Sequence, residues 1–180
     1  SEFCENQKYI LKKDNKKLNN EEYFELIENW LNKFPIISIE DPFDEDDKVS
    51  FAKLYNLYSK KIQIVGDDLL VTNVDFIKDA KKLKLCNSVL IKPNQVGTIT
   101  ETYKAVKEAK VNNINQIISA RSGETEDTTI MHLAVAWGIN QIKVGSFSRS
   151  ERMIKWNEGI RIGKTLKNYE FDHIKAFPWQ

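Results

Sequence analysis

Glu40, Asp67, Lys92, Arg121 and Lys143 each stand at or just beyond the end of a short apolar run. The runs are Ile36-Ile37-Ser38-Ile39, Ile62-Gln63-Ile64-Val65, Ser88-Val89-Leu90-Ile91, Gln116-Ile117-Ile118 and Gln141-Ile142; the fourth leads through Ser119-Ala120 into Arg121-Ser122. If the runs are consecutive parallel strands, their carboxyl ends share one face, so two acids, two lysines and an arginine face one another. Two carboxylates on neighbouring strands are costly to hold together unless a cation lies between them. A hard divalent ion is one answer, and Mg²⁺ suits Glu40 and Asp67 better than zinc because no His or Cys is at hand. A salt-bridge network with Lys92 and Lys143 is the other, and the residues alone do not choose. Lys92, between an apolar run and Pro93-Asn94-Gln95-Val96-Gly97, reads either as a desolvated base or as a buried ion-pair partner. Arg121-Ser122-Gly123 offers a fork of donors, a hydroxyl and a turn, which fits a phosphate.

The steps between positions 40, 67, 92, 120 and 143 are 27, 25, 28 and 23 residues. That is close to one strand-plus-helix repeat of a barrel with eight units and about 250 residues. Segments of helical period fall between the runs, at 21–32, 47–59, 74–83, 100–110, 126–137 and 151–166. Strict alternation predicts an α/β fold with a parallel sheet. Cap residues mark several starts: Asn73 before the third helix, Thr98 or Thr100 before the fourth, Ser148 or Ser150 before the last. The acids Asp44 to Asp47 read as a loop that opens a helix near Asp47. The Lys/Asn-rich stretch 12–20 reads as a loop or hairpin. Five units are too few to close a barrel of eight, so two strand edges should stay unpaired.

The composition suits one soluble domain: 180 residues, 41% hydrophobic, 29% charged, formal net charge +1. Nothing in it calls for nucleic acid or a membrane span, and a cytoplasmic setting is expected. Cys4 and Cys86 are too few for a disulfide framework and sit in no metal-binding spacing, so they read as reduced structural thiols.

Five motifs are more specific. Ser38-Ile-Glu-Asp-Pro-Phe-Asp44, Gln63-Ile-Val-Gly-Asp-Asp-Leu69 with Val71-Thr-Asn73, Leu90-Ile-Lys-Pro-Asn-Gln-Val-Gly-Thr98, Arg121-Ser-Gly-Glu-Thr-Glu-Asp127, and Gln141-Ile-Lys143 with Ser150-Glu-Arg152 and Trp156-Asn157 resemble enolases of the bacterial type, collinearly from Ser1 to about Leu166. The resemblance implies the carboxy-terminal part of an enolase barrel domain, a partial (β/α) barrel of about five or six of the eight units. It also implies a Mg²⁺-dependent lyase that interconverts 2-phosphoglycerate and phosphoenolpyruvate in glycolysis and gluconeogenesis. Carried over residue by residue, Glu40 and Asp67 match metal carboxylates, Lys92 the base that takes the proton next to the substrate carboxylate, Arg121 and Ser122 phosphate-binding residues, and Lys143 a substrate-binding lysine. A proton so weakly acidic needs metal and cations fixed beforehand to neutralise the charge that its removal leaves.

The departures matter too. Most enolases carry a histidine just before the matched Arg-Ser, where this chain has Ala120. The third metal carboxylate, the glutamates that assist departure of the hydroxyl, and the amino-terminal capping domain lie in the family before the position where the match starts. The chain therefore reads as truncated, with little or no turnover alone. His132 reads as a packed or surface residue, and His173 falls in an unplaced tail whose Phe171, Phe177 and Trp179 suit docking. A non-catalytic enolase-like module, or a lyase of the wider superfamily acting on an unphosphorylated acid, are the competing readings. Enolases are typically dimers, so the resemblance leaves a homo-oligomer open.

Overall fold

A computed structural model of the chain describes residues 3–5 and 8–166. At its start, β1 (Cys4–Glu5), β2 (Lys8–Leu11) and β3 (Lys16–Leu18) form an antiparallel meander. The β2–β3 connection is a hairpin, closed by a short turn in which Asn15 takes the left-handed conformation at φ 50°. Helix α1 (Asn20–Lys33) follows, opened by a capping box in which Asn19 accepts from the Glu22 N–H and Glu22 from the Asn19 N–H. The meander is pinned to the rest by Tyr9, which stacks on Tyr23 at 3.8 Å and whose hydroxyl accepts from the Asp44 N–H at 2.9 Å.

Strand and helix then alternate: β4 (Ser38–Glu40), α2 (Lys48–Tyr58), β5 (Gln63–Gly66), α3 (Val74–Leu83), β6 (Ser88–Ile91), a one-turn α4 (Pro93–Val96), α5 (Ile99–Val111), β7 (Asn115–Ser119), α6 (Thr129–Trp137), β8 (Gln141–Lys143) and α7 (Ser150–Thr165). The five strands pair in parallel in sequence order, β4-β5-β6-β7-β8. Each is followed by helix, so the α/β partial barrel of five units expected from the alternation is what forms. Among the described residues β4 and β8 are the sheet edges.

Side chains alternate across a strand, and that parity sorts the residues into two layers. Ile39, Ile64, Val89, Ile91, Ile118 and Ile142 face the helices, joining a core with Phe24, Phe43, Phe51, Leu54, Ile77 and Val106. The other parity, positions 38 and 40, 63, 65 and 67, 88, 90 and 92, 117 and 119, 141 and 143, faces inward. There Ser38 donates to Gln63 on the adjacent strand at 2.8 Å, and the curl of the sheet lets Gln63 donate to Gln141 at 3.0 Å, from β5 to β8. Cys86 is buried, and burial pushes its thiol up to about 12, consistent with a structural role.

Two local expectations need correction. The fifth predicted helix starts at Thr129 instead of 126, because the Asp127 carboxylate takes the Thr129 N–H at 2.8 Å in a local turn. The last helix is not capped by Ser148 or Ser150: its cap position is Arg149, at φ 75° and without a side-chain cap, while Ser148 donates its N–H to Ser146. The run Pro93–Val96 is helical, with Pro93 at the first position and Gly97 at φ 84° ending it. Asn73 caps as expected, Thr98 rather than Thr100 caps α5, and Asp47 caps α2 at the helix start expected near it. His173, Phe171, Phe177 and Trp179 lie outside the described residues.

Candidate active site at the carboxyl ends of the strands

A cavity of about 630 Å³ opens at the carboxyl ends of β5 to β8, lined by Asp67, Lys92, Ala120, Arg121, Ser122 and Lys143 among others. Five of the six residues singled out by sequence meet here, and Glu40 joins through Lys143. All but Ser122 lie on the inward parity of their strands, so the alternation that buries the apolar residues under the helices also turns the charged ends into the mouth.

The charges are paired in two sets. Lys92 Nζ donates to Asp67 Oδ2 between neighbouring strands, with both side chains 11% exposed. Lys143 Nζ lies 2.7 Å from both oxygens of Glu40, from one edge strand to the other, in a more exposed position. The two acids are each met by a different lysine.

The two strand ends are fixed by residues that sequence reasoning passed over. Asp41, at φ 37°, accepts the N–H groups of Asp67 at 3.0 Å and Asp68 at 2.6 Å and donates its own N–H to Val65, a clasp from the end of β4 to the turn after β5. Burial pushes its carboxyl up to about 6; the Asp67 and Asp68 charges push the same way, against the two N–H donors. The signal was an acid directly before Pro42 at a strand end. Thr72 is fully buried, and it and Val71 both take positive φ, a strained pair for β-branched residues. Its hydroxyl accepts the Lys92 N–H at 3.0 Å and reaches Gln95 at 2.5 Å, which sets the strand end that carries Lys92.

Arg121 and Ser122 are exposed at the mouth, and the Arg121 guanidinium donates to Asn94 of α4 at 3.1 Å. Beneath them the loop rests on α7. Arg152 donates to the carbonyls of Arg121 at 2.7 Å, Ser122 at 2.8 Å and Val144 at 3.0 Å. Lys155 meets Glu124 at 2.8 Å and the Thr125 carbonyl at 2.8 Å. Two cations three residues apart in the first turns of a helix, where the dipole favours acids, were the available sign. His132 pairs with Glu158 at 3.1 Å on the surface and takes no part.

The donor set suits a hard cation. Asp67 Oδ1 is buried without a hydrogen-bond partner among the described residues, and ligand atoms of Asp41, Asp67 and Asp68 lie within 4.8 Å of one another. Asp41 already spends both oxygens on backbone N–H groups, so Asp67 has the more available ligand atom. The described residues form no helix long and apolar enough to cross a membrane.

Comparison with known proteins adds family relationships to this geometry. The family model described as the enolase C-terminal TIM barrel domain matches residues 1–175. Enolases of Ehrlichia canis and Ehrlichia chaffeensis are each 51% identical to the chain over 166 residues, 92% of this chain and 39% of the relative. The chain thus spans well under half the length of these curated relatives.

Proposed function

The chain belongs to the enolase family through its C-terminal barrel domain, and from that premise we propose that its cavity is part of a lyase site that interconverts 2-phosphoglycerate and phosphoenolpyruvate. The carrying observation is the gathering of Asp67, Lys92, Arg121, Ser122 and Lys143 round one cavity at the carboxyl ends of parallel strands.

In this reading Arg121 and Ser122 bind the phosphate, and Lys143 holds the substrate carboxylate region. Lys92 takes the proton from the carbon beside the carboxylate, for which its amine must first be neutral. Glu40 and Asp67 would hold Mg²⁺, whose positive charge supplies electrostatic stabilisation as negative charge develops on the substrate carboxylate. Loss of the hydroxyl from the adjacent carbon then needs an acid that none of these six residues supplies. A glycolytic role and a cytoplasmic setting follow as parts of the same proposal. Ala120 leaves the cavity wall without the imidazole usual in the family, so Ala120→His should strengthen substrate binding.

The test joins this chain behind the preceding portion of the Ehrlichia canis enolase and follows phosphoenolpyruvate formation from 2-phosphoglycerate. We expect turnover that depends on Mg²⁺ and falls on the order of 10²- to 10⁴-fold in Lys92→Ala. A folded but inactive chimera, or equal rates with and without Lys92, would overturn the reading. The 180-residue chain alone is expected to be nearly silent.

A further inference from the structure

The motif Ser150-Glu151-Arg152 has no role in the chemistry above, yet it opens the stretch of α7 that carries the two most buried cations among the described residues. Arg152 is 7% exposed and Lys155 is 1% exposed. Cations so placed are costly unless every donor is used, and apolar side chains would pack a helix against a sheet at less cost. Here most donors go to the two loops that border the cavity, and one Lys155 donor goes to the Glu151 carbonyl of its own helix. Arg152 gathers the carbonyls of Arg121, Ser122 and Val144, three residues that border the cavity. Lys155 holds Thr125 and Glu124, and Glu124 in turn accepts the Arg121 N–H at 2.8 Å. Both backbone polar groups of Arg121 are thereby fixed, while its side chain reaches the mouth. A bare carbonyl in that wall would repel an anion; drawn onto a buried guanidinium, its negative end is neutralised.

We propose that Arg152 and Lys155 are positioning residues for phosphate recognition, setting the backbone of residues 121–125 so that Arg121 and Ser122 meet a phosphate-bearing substrate. The inference rests on the reading of that loop as the phosphate site. Neither cation needs to touch the substrate. A fork that spans three carbonyls on two loops is not replaced by a lysine's point charge.

The experiment compares binding of 2-phosphoglycerate and of glycerate, its unphosphorylated analogue, to the 180-residue chain in Mg²⁺ by NMR titration, with circular dichroism to monitor folding. Arg121→Ala sets the benchmark: it should reduce the preference for the phosphorylated ligand on the order of 10-fold or more. Arg152→Lys and Lys155→Gln should remove most of the same preference while leaving glycerate affinity unchanged. Arg152→Lys added to Arg121→Ala should then cause little further loss. Folded Arg152→Lys and Lys155→Gln variants that keep the preference would overturn the proposal. Loss of fold in both would do so too, since it would assign the cations to stability. If Arg121→Ala itself leaves the preference intact, or the unsubstituted chain shows none, the phosphate reading of the loop fails first and the inference with it.

Discussion

Burial raises the Glu124 carboxyl, but the hydrogen bond from Lys155, the Arg121 N–H and the fields of Lys155 and Arg152 outweigh it and hold the group below the usual carboxylate value. A folded-state value below the unfolded one adds stability that is present above the unfolded value, about 4.3, and is lost as pH falls through the folded one. Glu124→Gln should therefore flatten the acid limb of a stability-versus-pH curve by up to about one proton, as read by urea midpoints between pH 3 and 6. At this scale the sequence was partly legible. Asp67, Lys92, Arg121 and Lys143 could be placed because each follows a recognisable apolar run. Asp41, Thr72, Arg152 and Lys155 could not, because what they do depends on which backbone groups lie across from them, and a linear pattern does not carry that.

Elements were more legible than their joints. Helix α3 begins and ends where its periodicity and Asn73 place it, whereas α6 starts late and α7 lacks its expected serine cap, in both cases because short polar side chains bond locally instead. Gly66 shows how tightly a joint can be drawn. It ends β5, and a Cβ there would come within 2.8 Å of Leu70 Cγ, in a side chain that is itself buried, as the chain folds back toward α3. Gly66→Ala should destabilise by about 1–3 kcal/mol, measured by thermal or chemical unfolding, and should disturb Asp67 next to it.

Across the whole molecule, the curl of the sheet is spanned by a polar contact between β5 and β8, which are not neighbours in order. Gln63, 2% exposed, receives from Ser38 and gives to Gln141. Gln63→Leu should cost on the order of 1–3 kcal/mol, seen as a lower urea midpoint at an unchanged slope. A fifth-strand partner could not be inferred from Gln63 alone, since parity says which face a residue takes but not how far the sheet bends. The brace on α7 has a further consequence in time. Arg152 acts on a carbonyl 31 residues earlier and Lys155 on one 30 earlier. At about 5–20 residues per second of synthesis, that interval lasts roughly 2–6 s. During it the strands that lead to Glu40, Asp67 and Lys92 already exist and β8 with Lys143 is still being added, while the loop between β7 and α6 has no support beneath it. A ribosome halted within that interval would hold a chain whose apolar layers can form but whose anion loop is still unset.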